Sequence, residues 1–301
     1  FSLLGREGKT SGELAAATGS DLRGMTAILD ALSAMALIVK KEWVYFNTDE
    51  SSRLLDRNSR DYIGWRVLHH HYLLPSWARL DEAVLQGRPS GDERETSNTE
   101  DQRQAFLMAM FNNASSVSPD IVPCLDLGEP STLLDLGGGP GTYAVEFCRR
   151  HPGLKAVVFD LPGSRPYAEE TIRNAGLENR IHFEGGDFFI DDIPGKHDVV
   201  WLSHVIHSSG PEEAQMVITK AAGALNTGGR MLIHDFWLNE AGDGPLFPAL
   251  FALNMLVRTP KGRSYRESEG REMLARAGLE QIRRLELQIP NDSGVLVGIK
   301  A

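Results

Sequence analysis

Cysteine is nearly missing from this chain: only Cys124 and Cys148 occur among 301 residues, too few for a disulfide framework. Long apolar runs are missing too. The longest, such as Asp198 to Ile206, are strand-sized and fall short of the roughly 18 to 20 residues that cross a bilayer, so no membrane partner is expected. Basic residues do not dominate: 31 Lys and Arg against 41 Asp and Glu give a formal net charge of −10, which repels a polyanion, and no nucleic-acid partner is expected. There is no internal repeat, no low-complexity tract and no signal-peptide pattern, so a reducing cytoplasm is the expected location. The first residue is Phe1 rather than Met, and the numbered chain is expected to start inside the native one. What is present is an ordinary globular composition, 42% apolar and 24% charged, with length for two domains or one large α/β domain with an appendage.

The first 60 residues read as helix, turn, helix and a small hairpin. Thr10 and Glu13 have capping-box spacing, Gly19 closes that helix, and Asp21 caps a second one whose Leu22, Met25, Ile28, Leu29, Leu32 and Met35 recur at helical spacing. Val39 to Phe46, interrupted by Lys40 to Glu42, reads as two strands and a turn. That order is the winged-helix pattern. Winged helices serve as dimerisation modules as well as DNA readers, and the eight basic side chains here are matched by eight acidic ones, without the basic footprint of DNA binding. Helical pattern from Asp61 to Leu85 is followed by Gly87 to Asp101, rich in Gly, Ser, Pro and acidic residues, which reads as a linker or mobile loop, and then by helical stretches at 101–115 and 117–126.

After Gly128 and Pro130 the character changes. Apolar runs near 132–136, 155–159, 180–184, 197–202 and 229–235 alternate with helix-sized segments, which predicts a parallel sheet covered on both faces. Two last runs, 281–288 and 294–300, are separated by too little chain for a crossover, so one strand must run antiparallel.

The first of these strands ends in LLDLGGGPGTY, residues 133–143, where Gly137, Gly139 and Gly141 permit a tight strand-to-helix turn and let a nucleotide-like ligand lie against the backbone. A dinucleotide fingerprint would need glycine at position 142, which is Thr142, so the NAD reading is weakened. Asp160 ends the second strand in VVFDLP, where a carboxylate can accept ribose hydroxyls, and Asp187 with Phe188 follows the third in GGDFF, where an aromatic ring can cover a base. All three fall at strand ends, the place where open α/β sheets bind ligands.

LLDLGGGPG, VVFDLP, GGDFF and the last strand pair resemble the class I S-adenosylmethionine (SAM)-dependent methyltransferases. With the winged-helix module, YLLPSWARLDEAVLQGRP and WLSHVIHSSGPEEA, the chain further resembles the small-molecule O-methyltransferases of the plant caffeic acid and hydroxyindole type and of bacterial polyketide synthesis. The resemblance implies a Rossmann-like seven-stranded sheet with a final antiparallel hairpin in residues 101–301, preceded in 1–100 by a mainly helical winged-helix dimerisation domain, and a homodimer. It implies SAM as cofactor, with Gly137, Gly139, Asp160, Leu161, Asp187, Phe188 and Ser203 as its contacts, and no metal. It makes His207 the general base and Asp235 its assisting carboxylate. Met108, Phe111, Asn112, His204, Trp237, Phe251, Asn254 and Met255 become the contacts of a small aromatic or polyketide-like acceptor. Departures stand at the acceptor end: His207 is followed by Ser208 and Ser209 rather than Asp-Trp, Asp235 replaces a common Glu, and a second supporting Glu is missing near Ser264 and Tyr265.

SAM carries an electrophilic methyl on a positive sulfur, so the protein must align a nucleophile and take its proton, for which an imidazole suits neutral pH. His69, His70 and His71 do not suggest a metal, since adjacent residues on a helix diverge. Two other readings stay open: a SAM-bound enzyme of diverged chemistry, such as a hydroxylase-like enzyme or C-methyltransferase, and a winged-helix regulator that senses a ligand.

Overall fold

Thr10 caps the first helix in the way its spacing implies: its hydroxyl accepts from the Glu13 amide at 3.2 Å while the Glu13 carboxylate accepts from the Thr10 amide at 2.7 Å. The computed structural model describes residues 1–90 and 99–301, in two units, Phe1–His71 and Tyr72–Ala301. The first contains β1 (Lys9–Thr10), α1 (Ser11–Thr18), α2 (Leu22–Ala34), β2 (Ile38–Lys41), β3 (Val44–Asn47), α3 (Asp49–Leu54) and the start of α4 (Gly64–Trp77). Its strands pair antiparallel in the order β1-β3-β2. Leu4, Leu14, Leu29, Ile38 and Tyr45 form its core, whereas Leu22, Ile28 and Met35 of the apolar series on and after α2 stay exposed within this chain. Lys40 and Lys41, expected in the turn, pair in β2 opposite Tyr45 and Val44. Their aliphatic stems suit a strand, and the Lys40 head reaches Asp30 at 2.6 Å.

The second unit continues with α5 (Leu80–Gln86), α6 (Glu100–Ile121), β4 (Thr132–Leu136), α7 (Thr142–Arg150), β5 (Lys155–Asp160), α8 (Arg165–Asn174), β6 (Ile181–Gly185), β7 (His197–Ser203), α9 (Pro211–Gly223), β8 (Leu225–Asp235), α10 (Leu246–Arg258), α11 (Glu267–Arg276), β9 (Leu279–Arg284) and β10 (Gly294–Lys300). The expected linker at 87–101 lies largely on residues 91–98, outside the described residues. The two helices expected at 101–115 and 117–126 are one, α6, ending in a 3-10 turn at Val122–Cys124. The polar run Asn112 to Ser116 hides the period, but Ala105, Leu107, Ala109, Ser118 and Ile121 are all buried, and that packing carries the helix through Pro119.

The seven strands run in the order β6-β5-β4-β7-β8-β10-β9. β4, β5, β6, β7 and β8 are parallel, and β10 is antiparallel to both β8 and β9, so the reversed strand is the last one and sits inside the sheet. Alternation explains why both faces are covered. Leu134, Leu136, Val200 and Leu202 join one buried cluster with Ile218 and Leu274, while Leu133, Val199 and Trp201 join the other with Phe147 and Ile172. Strand order reverses at β4, whose carboxyl end is therefore the ligand crevice of the sheet. No helix among the described residues is long and apolar enough to cross a membrane.

Candidate active site

At the end of β4 the chain turns through Gly137, at φ 70°, where a Cβ would come within 2.7 Å of the Val205 side chain and 3.6 Å of the Phe188 ring. A side chain there would fill the crevice. Phe188, 51 positions later, thus stands against the glycine turn, and Asp187 opens the loop that carries it. The Asp187 carboxylate accepts from the Phe189 amide at 2.9 Å, and Lys220 of α9 donates to the Phe188 carbonyl at 2.9 Å and to that of Asp191.

Asp160 ends β5 facing the same turn. Its carboxylate accepts from the Gly139 amide at 2.8 Å, the Leu161 amide at 2.8 Å and the Ser164 hydroxyl at 2.7 Å. Of about four acceptor positions on a carboxylate, the chain itself uses three, which leaves room for a single strong bond to a ribose rather than one to each hydroxyl. Burial raises this carboxyl above its ordinary value, against the three hydrogen bonds. Leu161 next to it is exposed. A glycine whose side chain would obstruct, a half-buried carboxylate and a ring at one crevice fit an adenosyl group. Directly beneath the turn lies Asp135, 1% exposed, accepting from the Ala144 amide at 3.2 Å; burial pushes its carboxyl up to about 7.

The neighbouring strand ends build a second centre. β7 ends at Ser203, and His204 follows in the left-handed region at φ 58°, a strained place for a residue with a Cβ, its amide donating to the His234 carbonyl at 2.8 Å. A 3-10 turn at Ile206–Ser208 then brings His207 Nδ1 to 2.7 Å from Asp235 Oδ1 at the end of β8. Burial alone would raise the Asp235 carboxyl, but the facing His207 and His204 imidazoles outweigh it and hold it well below the ordinary carboxylate range. An ionised Asp235 accepts, so Nδ1 of His207 carries the proton and Nε2 keeps its lone pair, the form of a general base. His204 Nδ1 lies 3.7 Å from the same oxygen. The donor atoms of His204, His207 and Asp235 fall within 4.8 Å of one another, a set that could take a divalent cation. Two lone pairs would not approach to the 2.7 Å of His207 and Asp235 without a proton between them, which favours the protonic arrangement.

Aromatic rings frame this pair. Phe251 meets His207 edge-on at 4.7 Å between centroids, and Phe236 lies 4.5 Å from His204 and 4.6 Å from Phe251. Asn254 accepts from the Trp77 indole at 3.2 Å. Met108, Phe111 and Asn112 are half-buried on α6, and Met255 is buried on α10. Trp237 is a correction: it is 1% exposed, donates to the Gly294 carbonyl at 2.9 Å and packs in the core against Gly270, so it does not face an acceptor. Phe236, one position earlier, is the ring that lies against His204 and Phe251. At the position of the absent supporting Glu, Ser264 bonds the Pro248 carbonyl at 2.8 Å, while the Tyr265 hydroxyl at 2.6 Å and the Arg263 amide at 2.8 Å hold the carbonyls of Ser209 and His207. The turn that carries His207 is braced there by neutral groups instead of a carboxylate. Phe236, Trp77 and these braces were not found from sequence, although the aromatic beside Asp235 in HDFW was a signal.

Residues 77–280 match the O-methyltransferase domain family. The chain is 31% identical to the 3-hydroxy-5-methyl-1-naphthoate 3-O-methyltransferase of Streptomyces sahachiroi, with 96% of this chain and 85% of that protein covered. It is 33% identical to the tetracenomycin polyketide synthesis 8-O-methyl transferase of Streptomyces glaucescens, with 97% and 87% covered. Among solved structures, an O-methyltransferase family protein from Burkholderia thailandensis superposes with a TM-score of 0.85 at 31% identity, over 100% of this chain and 90% of that one. With the glycine turn, its two carboxylates and the His207–Asp235 pair in place, the chain belongs to the SAM-dependent O-methyltransferase family.

Proposed function

We propose that the enzyme methylates a hydroxyl of a small aromatic or polyketide-like acceptor, with His207 as general base and Asp235 as its orienting partner. The observation that carries this is the 2.7 Å contact between His207 Nδ1 and a buried, ionised Asp235, set among Phe236 and Phe251. When bound, SAM supplies an electrophilic methyl. His207 Nε2 takes the hydroxyl proton as the oxygen gains the methyl, and Asp235 stabilises the imidazolium that results. The flat aromatic wall suits a planar ring, and the naphthoate and polyketide substrates named for two relatives are of that shape. The test is incubation with SAM and a panel of hydroxynaphthoates and polyphenols. A product heavier by one CH2 and lacking one free hydroxyl is expected, and methyl found on carbon would overturn the O-transfer.

In this reading SAM lies between Gly137, Gly139, Asp160, Leu161, Asp187, Phe188 and Ser203. Asp160→Ala should weaken SAM binding roughly 5-fold to 150-fold, the worth of a buried hydroxyl left without its acceptor. An unchanged affinity by calorimetry would remove the donor from this crevice.

Residues 1–100 are read as a winged-helix dimerisation domain and 101–301 as the catalytic domain of a cytoplasmic homodimer. Exposed Leu22, Ile28 and Met35 on and after α2 support that, being more apolar surface than so small a unit leaves bare. The even charge of the first 60 residues supports protein rather than nucleic acid as the partner. Light scattering at micromolar concentration should give twice the chain mass; a monomer would refute the dimer.

A further inference from the structure

His234 is a buried histidine that the transfer chemistry does not use. It lies on β8, 1% exposed, and every polar atom of its ring has a partner. Nε2 is 2.9 Å from Ser293 Oγ, and Nδ1 is 3.1 Å from Ser203 Oγ and 3.4 Å from the Tyr143 hydroxyl. The proton positions follow from one fixed acceptor. Ser293 Oγ lies 3.2 Å from the Pro290 carbonyl, which can only accept, so the Ser293 proton goes there. His234 Nε2 must then donate to Ser293, and in the neutral ring Nδ1 is a lone pair. Burial lowers the pKa of His234 well below the ordinary imidazole value, His204 acting the same way and Asp235 opposing, so the ring is neutral. Its one lone pair takes a hydroxyl proton from Ser203, the nearer claimant, and the Tyr143 hydroxyl, farther from Nδ1 and itself hydrogen-bonded to Ser203, gives its proton to Ser203 Oγ.

The placement of Ser293 is itself costly. Asn291 and Asp292, just before it, both occupy the left-handed region, at φ 60° and 53°. Ser203 is half-buried at the end of β7, two positions past the pair Asp135–Trp201 and so level with Gly137. With its proton drawn inward and one lone pair taken by Tyr143, its oxygen keeps one lone pair and no proton to present.

We propose that His234 is a positioning residue for the methyl donor: fixed as the Nε2–H tautomer by Ser293, it turns the Ser203 proton inward and leaves Ser203 Oγ an acceptor for the ammonium group of the donor's amino-acid arm. This rests on the placement of SAM at Ser203 under the proposed function. Two ligands separate the arm from the rest. S-adenosylhomocysteine carries the ammonium, and 5′-methylthioadenosine has the adenosine and sulfur without it. By calorimetry, Ser203→Ala is expected to weaken S-adenosylhomocysteine about 5-fold to 30-fold and methylthioadenosine less than about 2-fold, as for one lost hydrogen bond to a charged group. His234→Phe, which keeps the ring and removes both nitrogens, should do the same, and the double variant should lose no more than either single one. If Ser203→Ala binds S-adenosylhomocysteine normally, Ser203 is not a donor contact and the placement itself fails. If Ser203→Ala weakens it while His234→Phe does not, the placement stands and the relay is wrong. Equal loss of both ligands in His234→Phe would reduce His234 to a packing role and also overturn the relay. Should His234→Phe not fold, Ser293→Ala carries the test. It should weaken S-adenosylhomocysteine several-fold and spare methylthioadenosine, and normal binding of both would refute the proposal.

Discussion

His207→Gln is expected to lower turnover by about 10²-fold to 10⁴-fold, the range for a positioned proton transfer, with SAM affinity within about twofold of the parent. Glutamine keeps the volume and polarity of the site but offers no basic nitrogen. The proposed donor contacts at Gly137, Asp160 and Asp187 lie at other strand ends, and Ser203, four residues before His207, is left unchanged, so the loss is expected in the chemical step and in single-turnover rates. Asp235→Asn should give a smaller loss of the same kind. The Phe236 amide donates to the same Oδ1 that faces Nδ1 of His207, at 2.8 Å, so asparagine keeps its oxygen there and the tautomer is held, while the charge that stabilises the imidazolium is gone. The parent rate should fall toward acid as the base is protonated, and the Gln variant should lack that limb. A nearly active His207→Gln enzyme whose parent shows no acid limb would end the general-base role.

The second large effect concerns stability. Asp135→Asn should stabilise the fold increasingly with pH, by on the order of 4 kcal/mol at pH 8 and by little near pH 4. The sign follows from a folded pKa of about 7, pushed up by burial and by the Asp160 charge, against 3.8 for a free carboxyl. Such a group contributes fully below its unfolded value. As pH rises toward the folded value the unfolded chain loses the proton first, and stability drains away across that window. Asparagine can still accept from the Ala144 amide and carries no ionisation to be suppressed. Urea unfolding of both proteins from pH 4 to pH 8 measures the gap. Parallel curves would mean that Asp135 titrates as an ordinary carboxyl.

What was legible from the sequence was local. The glycines at 137, 139 and 141 and the carboxylates at 160 and 187 sit within a few residues of the strand end that gives them meaning, so spacing alone placed them. Asp135 could have been noticed as a charged residue in an apolar strand, but its role depends on a turn folding over it. Trp237 was misplaced because alternation stops guiding which way a side chain faces once β8 has ended at Asp235. The long-range pairs were out of reach for a plainer reason. Trp77 with Asn254 joins residues 177 apart and His234 with Ser293 residues 59 apart, and no periodicity encodes such a meeting.

The position of β10 has a consequence for how the enzyme comes into being. It pairs Gly294 with Asp235 and Ile299 with Arg230, so the strand bearing the base's partner has an open edge until the last residues of this chain arrive. Strands β4 to β7 draw on residues 132–203, whereas the edge of β8 that ends in Asp235 waits on β10, residues 294–300. Contacts of long sequence separation close late because their loop entropy is met before any contact rewards it. In a refolding chain, pairing along the Asp235 edge of the sheet is therefore expected after that of β4 to β7.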